Sequence, residues 1–200
     1  MDEYEISGYE QFGANCRRCR NQRLAFDTVR ALGIYGGSLR EAVLRSKKWT
    51  GEPAAIAMAH LLWQRVGERI TEERPEVVVP VPMHWSRRLR RGTSSADVLS
   101  EVLTRHLGVP TAERLLVRRR NTLPQFNLPP KKRFSNVRGA FGISAAYNLR
   151  AERVLLVDDI LTTGATCHEV AKVLRKAGAR YISVVVIARA VGIGEQFART

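Results

Sequence analysis

The 200 residues include only three cysteines, Cys16, Cys19 and Cys167, too few for a disulfide framework and consistent with a reducing compartment. No apolar run nears the length that spans a bilayer, and Met1 to Glu10 is too acidic and polar for a secretory signal. The expected location is therefore the cytoplasm, with no membrane span. Aromatic residues make up 7% of the chain, which gives little sign of a base-stacking platform. Gly-x-x-x-x-Gly-Lys-[Ser/Thr] occurs nowhere, so P-loop chemistry has no support. Acids are scarce as well: 19 stand against 33 basic residues, a net charge of +14. The basic residues cluster at Arg17 to Arg23, Arg87 to Arg91, Arg118 to Arg120 and Lys131 to Arg133, which suits polyanionic ligands, single-stranded DNA among them. A merely soluble basic surface explains the same composition.

Against these absences stands one dense stretch, Val154-Leu-Leu-Val-Asp158-Asp159-Ile-Leu-Thr162-Thr163-Gly164-Ala165-Thr166. Val154 to Val157 is a short continuous apolar run, the pattern of a strand covered on both faces in a parallel sheet. Ligands bind at the carboxyl ends of such strands, where a turn entering a helix offers unpaired N–H groups and the positive end of its dipole. Thr162, Thr163 and Thr166 bring hydroxyl donors to that turn, and Gly164 permits a backbone conformation that a Cβ would hinder. The turn fits a phosphomonoester. Asp158 and Asp159 are acceptor-only when ionised, so they suit a pair of sugar hydroxyls or a hydrated Mg²⁺. A ribose 5-phosphate satisfies both halves.

With 44% apolar residues the chain can bury one real core. The pattern predicts a strand over 28–35 and a helix opened by Ser38 as N-cap with Glu41 completing a capping box. A helix over 54–70 follows Pro53, a residue favoured in a first turn. Glu76 to Pro82 reads as a second buried strand ended by its prolines. The basic run after it, with Arg87 and Arg88 nearest the strand, sets arginine forks at the same sheet edge as the phosphate turn, as a pyrophosphate requires. A helix over 94–107 carries the apolar stripe Val98, Leu99, Val102, Leu103 and Leu107. Arg114 to Val117 reads as a third strand. Arg118 to Phe141 is a long polar connection with no periodicity, of the kind that is functional or disordered. Cys167 to Ala177 is the crossover helix, Gly178 closes it, and Tyr181 to Ala188 is the last buried strand. Cys16-Arg-Arg-Cys19 is half of a four-cysteine zinc site without its other half, so metal and two ordinary thiols both stand. We expect no stoichiometric zinc.

The main stretch resembles the phosphoribosyl pyrophosphate (PRPP) signature of type I phosphoribosyltransferases: an apolar strand, two acids, two apolar residues, then Thr-Thr-Gly-x-Thr. Three further segments resemble the ComF family, phosphoribosyltransferase-like proteins tied in many bacteria to DNA uptake. They are Ala31 to Ala42; Val79 to His84 with Arg87 to Gly92; and Gln125 with Arg133, Asn136, Val137, Arg138, Gly139, Ala140 and Phe141. The resemblance implies an α/β fold with a parallel sheet and helices on both faces over 26–200, and a remnant of the family's zinc-knuckle segment over 1–25. It further implies that Asp158 and Asp159 are the catalytic acids that hold the ribose hydroxyls. Thr162, Thr163, Gly164, Ala165 and Thr166 would hold the 5-phosphate, and Pro82, Met83, His84, Arg87 and Arg88 the pyrophosphate. Gln125, Arg133 and Asn136 would sit on a mobile loop closing over the site. The family usually carries Arg-Gly-Phe-Asn-Gln where this chain has Arg91-Gly92-Thr93-Ser94-Ser95.

Three function classes follow. The first is a PRPP- and Mg²⁺-dependent transferase with a nitrogen acceptor that the sequence does not identify. The second is a DNA-uptake accessory protein that binds single-stranded DNA and whose PRPP site is regulatory or vestigial. The third is a PRPP sensor without turnover. A homodimer is left open.

Overall fold

The computed structural model describes residues 24–83, 94–125, 128–145, 149, 151 and 153–190. Its centre is a four-stranded sheet made of β1 (Thr28–Ile34), β2 (Val77–Pro80), β5 (Arg153–Leu161) and β6 (Tyr181–Arg189), in the order β1-β6-β5-β2. Every pairing in it is parallel. A single parallel bridge from Val78 to Thr111 extends the β2 edge. The α/β parallel-sheet architecture expected from the sequence is therefore the one observed.

The apolar runs of β2, β5 and β6 are continuous because each of these strands is covered twice. Val77, Val79, Val154, Leu156, Ile182, Val184 and Val186 enter one core, with Val170, Ala171 and Leu174 of the helix Ala165–Lys176. The alternate residues Val78, Leu155, Val157, Val185 and Ile187 enter the other, against Met58, Leu62, Leu99 and Leu103. Successive strand side chains point to opposite faces, so two buried faces leave no polar phase in the pattern.

The second core is roofed by α1 (Gly37–Ser46), α2 (Glu52–Glu72) and α3 (Ser95–Leu107). Pro53 lies in the first turn of α2, as expected. Ser94 caps α3 in a complete capping box with Asp97, and Val98, Leu99, Val102 and Leu103 are its buried stripe. Ser38 does not cap α1: the helix starts at Gly37, its N-cap is Gly36, and no side chain caps it. Gly36 and Gly37 turn the chain so sharply out of β1 that Ser38 is already inside the first turn.

The third strand and the long polar connection after it are both present, with shifted bounds and an unforeseen helix. The strand expected at Arg114 to Val117 is β3 (Leu116–Arg118), and it lies outside the main sheet, paired antiparallel with β4 (Phe141–Ile143). Between them Pro130–Val137 forms a helix, α4, packed on the helix α5 (Ala165–Lys176). Its polar composition hid α4, since Val137 is its one buried residue. The cluster Arg118 to Arg120 is largely spent inside this small unit. Arg118 lies over the Phe141 ring at 5.2 Å, and Arg120 donates to the carbonyls of Asn136 (3.0 Å) and Arg138 (2.9 Å).

Candidate functional site

β5 runs further than its apolar core implies. It continues through Asp158, Asp159, Ile160 and Leu161, with Asp158 in register with Val186 and Leu161 with Arg189 of β6. The two acids therefore belong to the second half of a central strand, just before the turn. Their main-chain geometry folds each carboxylate back on the chain: Asp158 Oδ1 accepts from the Asp159 N–H at 2.8 Å, and Asp159 Oδ1 from the Ile160 N–H at 2.7 Å. That leaves one oxygen of each carboxylate for other partners.

Those oxygens look toward different layers. Asp158 Oδ2 accepts a long contact from the buried Cys167 thiol, 3.7 Å away on α5. Asp159 Oδ2 is 2.8 Å from the Lys47 ammonium, at the C-terminal end of α1. Burial first and the Asp159 charge second push the Asp158 carboxyl up to about 7, although the Asp159 N–H and Lys47 pull the other way. Burial and the Asp158 charge raise the Cys167 thiol well above its ordinary range, so it stays a neutral donor.

After β5 the chain bends at Thr162, Thr163 and Gly164 and enters α5, two residues earlier than the sequence pattern implied. Gly164 is the N-cap with φ 78° and ψ 3°, a left-handed conformation that costs any residue with a Cβ about 1–2 kcal/mol. No side chain caps the helix. Leu24 and Phe26 lie beside Gly164; a Cβ there would meet Phe26 Cζ at 3.5 Å. The Thr163 hydroxyl is buried and has no hydrogen-bond partner. An orphaned hydroxyl costs stability, and here it stands at the positive end of an uncapped helix. This is a cradle suited to an anion with several acceptor oxygens.

Gln125, Arg133 and Asn136 come together beside that cradle. Gln125 Nε2 donates to Thr166 Oγ1 at 3.3 Å and to the Arg133 carbonyl at 3.4 Å, and Asn136 Nδ2 donates to Gln125 Oε1 at 3.5 Å. Arg133 Nε donates to the Leu128 carbonyl at 3.0 Å. The end of this unit is tied to α5, where the Gly139 N–H donates to Glu169 Oε1 at 2.8 Å. Pro82 and Met83 follow β2 at the same edge, since the Val81 N–H donates to the Val157 carbonyl at 2.8 Å. His84, Arg87 and Arg88, named for the pyrophosphate, lie outside the described residues, as do Cys16 and Cys19.

Two participants escape sequence reasoning. Lys47 follows a helix end with no motif around it; only the path of α1, from β1 past β6 to β5, brings it to Asp159. His168 accepts the Ala25 N–H at Nδ1 (3.0 Å), fastening the segment before β1 to α5. Burial and Lys172 hold its pKa below the ordinary value. Among the described residues no three His, Cys, Asp or Glu side chains converge to hold a metal. Two neighbouring carboxylates have the oxygen-donor chemistry that a hydrated Mg²⁺ takes. Among the described residues no helix is long and apolar enough to cross a membrane.

A family model for the phosphoribosyl transferase domain matches residues 50–196. The chain is 33% identical over 188 residues to "Competence protein F" of Haemophilus influenzae, covering 92% of this chain and 82% of that one. It is 31% identical over 178 residues to "DNA utilization protein YhgH" of Salmonella typhimurium, covering 87% and 77%. "Competence protein ComFC" of Bacillus subtilis matches at 27% over 173 residues, covering 82% and 68%. A solved purine phosphoribosyltransferase from Pyrococcus horikoshii is 18% identical, with a TM-score of 0.38 over 72% of this chain and 88% of that chain.

Proposed function

The chain belongs to the phosphoribosyl transferase domain family, as a ComF-type member, and from that premise we propose that its sheet-edge site binds PRPP together with Mg²⁺. The observation that carries the reading is the buried, partnerless Thr163 hydroxyl at the head of uncapped α5, one short bend after an acid pair. A 5-phosphate in the cradle satisfies that hydroxyl and the first N–H groups of the helix. Asp158 and Asp159 then accept from the ribose hydroxyls.

Transfer of the phosphoribosyl group breaks the bond from the anomeric carbon to pyrophosphate and forms one to a nitrogen acceptor. Positive charge builds on the ribose in between, and ionised carboxylates held at the sugar end of the site would stabilise it. Mg²⁺, when bound, neutralises part of the pyrophosphate charge and so eases its departure. Gln125 and α4 flank the phosphate end and would restrict water there. Titration of PRPP with and without Mg²⁺, followed by assay for released pyrophosphate with candidate acceptors, tests the reading. Saturable, Mg²⁺-dependent binding supports it; no binding in either condition removes it.

A second role finds support in the exposed Lys131 and Lys132 at the start of α4, a helix with no acid in its first turn. Beside a PRPP site they form a basic surface for a nucleic-acid backbone, in keeping with relatives named for competence and DNA utilization. In that role the PRPP site regulates, and the two anions compete.

A further inference from the structure

We infer that Lys47 is a resident counter-ion of the acid pair that an arriving ribosyl ligand must displace, and that it thereby selects ligands with an anionic group on the anomeric carbon. The inference rests on the PRPP reading of the site. Its basis is the ion pair between Lys47 Nζ and Asp159 Oδ2 at 2.8 Å, with side chains 28% and 30% exposed.

An ordinary surface ion pair holds two flexible side chains and has little effect. This one differs in how its backbone is fixed. Ser46, the last residue of α1, donates to the Val43 carbonyl at 2.9 Å and shares a 3.1 Å hydrogen bond with Ser95 at the start of α3. Val43 itself is fully buried. Four residues beyond Lys47, the Gly51 N–H donates to the Lys48 carbonyl at 3.0 Å, and a Cβ on Gly51 would lie 2.3 Å from the Arg45 carbonyl oxygen. The turn carrying Lys47 is thus closed against α1, hydrogen-bonded to α3 and continuous with α2, so the fold sets the backbone from which the ammonium reaches Asp159. It acts on both, since Lys47 is among the charges that favour the ionised form of Asp158.

The consequence is a difference between ligands. A sugar hydroxyl that takes Asp159 Oδ2 must break the ion pair and leave an ammonium without its partner. If the adjacent anomeric carbon carries pyrophosphate, the ammonium re-pairs with it and the loss is offset by a charge-assisted hydrogen bond. Ribose 5-phosphate has a neutral hydroxyl there and offers nothing in return. Lys47 therefore favours PRPP and disfavours ribose 5-phosphate at once, a specificity built on a repulsive as well as an attractive element.

The experiment measures the Kd of PRPP and of ribose 5-phosphate, each with Mg²⁺, for the wild-type chain, Lys47→Met, Lys47→Gln and Lys47→Arg. PRPP should weaken and ribose 5-phosphate should bind equally or more tightly in the Met and Gln variants, shrinking the preference at least about tenfold. Lys47→Arg should keep most of it. If wild type binds PRPP but the Met and Gln variants retain the ratio, or lose both ligands alike, the role of Lys47 is refuted and the site reading stands. If wild type binds neither ligand, both ideas fall. Circular dichroism of each variant identifies misfolding, and the Gln and Arg variants keep the comparison decisive should Met disturb the turn.

Discussion

Replacing Thr163 by valine should make the protein more stable and a worse phosphate binder. The hydroxyl is buried without a partner, and an unsatisfied buried hydroxyl costs about 1–3 kcal/mol. Valine has nearly the same shape and is also β-branched, so the backbone has no reason to move. For a chain of this size each kcal/mol recovered raises the melting temperature by about 2–4 °C. The same substitution deletes a donor to the bound phosphate. A hydrogen bond to a charged group contributes about 1.5–3 kcal/mol, so the Kd for PRPP should rise about 10- to 150-fold. Scanning fluorimetry of the free protein and calorimetry with PRPP and Mg²⁺ read the two effects separately. A variant that melts lower and binds PRPP as wild type does would refute the reasoning, because the hydroxyl would then have a structural partner and no ligand.

The acid pair gives a pH-dependent prediction. Asp158 is raised from 3.8 to about 7 in the folded chain, so the folded state holds its proton more tightly than the unfolded state across that window. The stability it contributes is full below the unfolded value and is lost as pH rises through about 7. Asp158→Asn mimics the protonated acid, so its melting temperature should gain on wild type between about pH 4 and about pH 7 and level off above. A constant difference over that range contradicts the raised pKa. On the nucleic-acid side, single-stranded DNA should bind weakly at low salt, lose affinity steeply as salt rises, and compete with PRPP. Lys131→Glu with Lys132→Glu should reduce it in a fluorescence titration; binding indifferent to both PRPP and charge reversal removes the shared surface.

How far the sequence was legible depends on what each element buries. β2, β5 and β6 were readable because both their faces are covered, which forces unbroken apolar runs. α3 was readable because one face is buried and Ser94 caps it. α4 was not, because a helix attached by its polar side chains and one buried valine has no apolar period to detect. The phosphate turn was legible as a motif: Thr163, Gly164 and the acids lie where the pattern puts them, with β5 longer and α5 earlier. Lys47 was not, since its meaning depends on α1 crossing the sheet, a tertiary fact with no local signature. The basic clusters show the opposite failure. Charge counting treats Arg118 and Arg120 like Lys131 and Lys132, yet the first two are engaged by Phe141 and by backbone carbonyls.

The central claim, that the end of β5 and the head of α5 form one ribose-phosphate site, is tested most directly by calorimetric titration of PRPP with Mg²⁺. The wild-type chain and Asp158→Asn with Asp159→Asn are compared, both checked for folding. Saturable binding in wild type that disappears in the double variant is the predicted result. Equal PRPP affinity in the two proteins would contradict it.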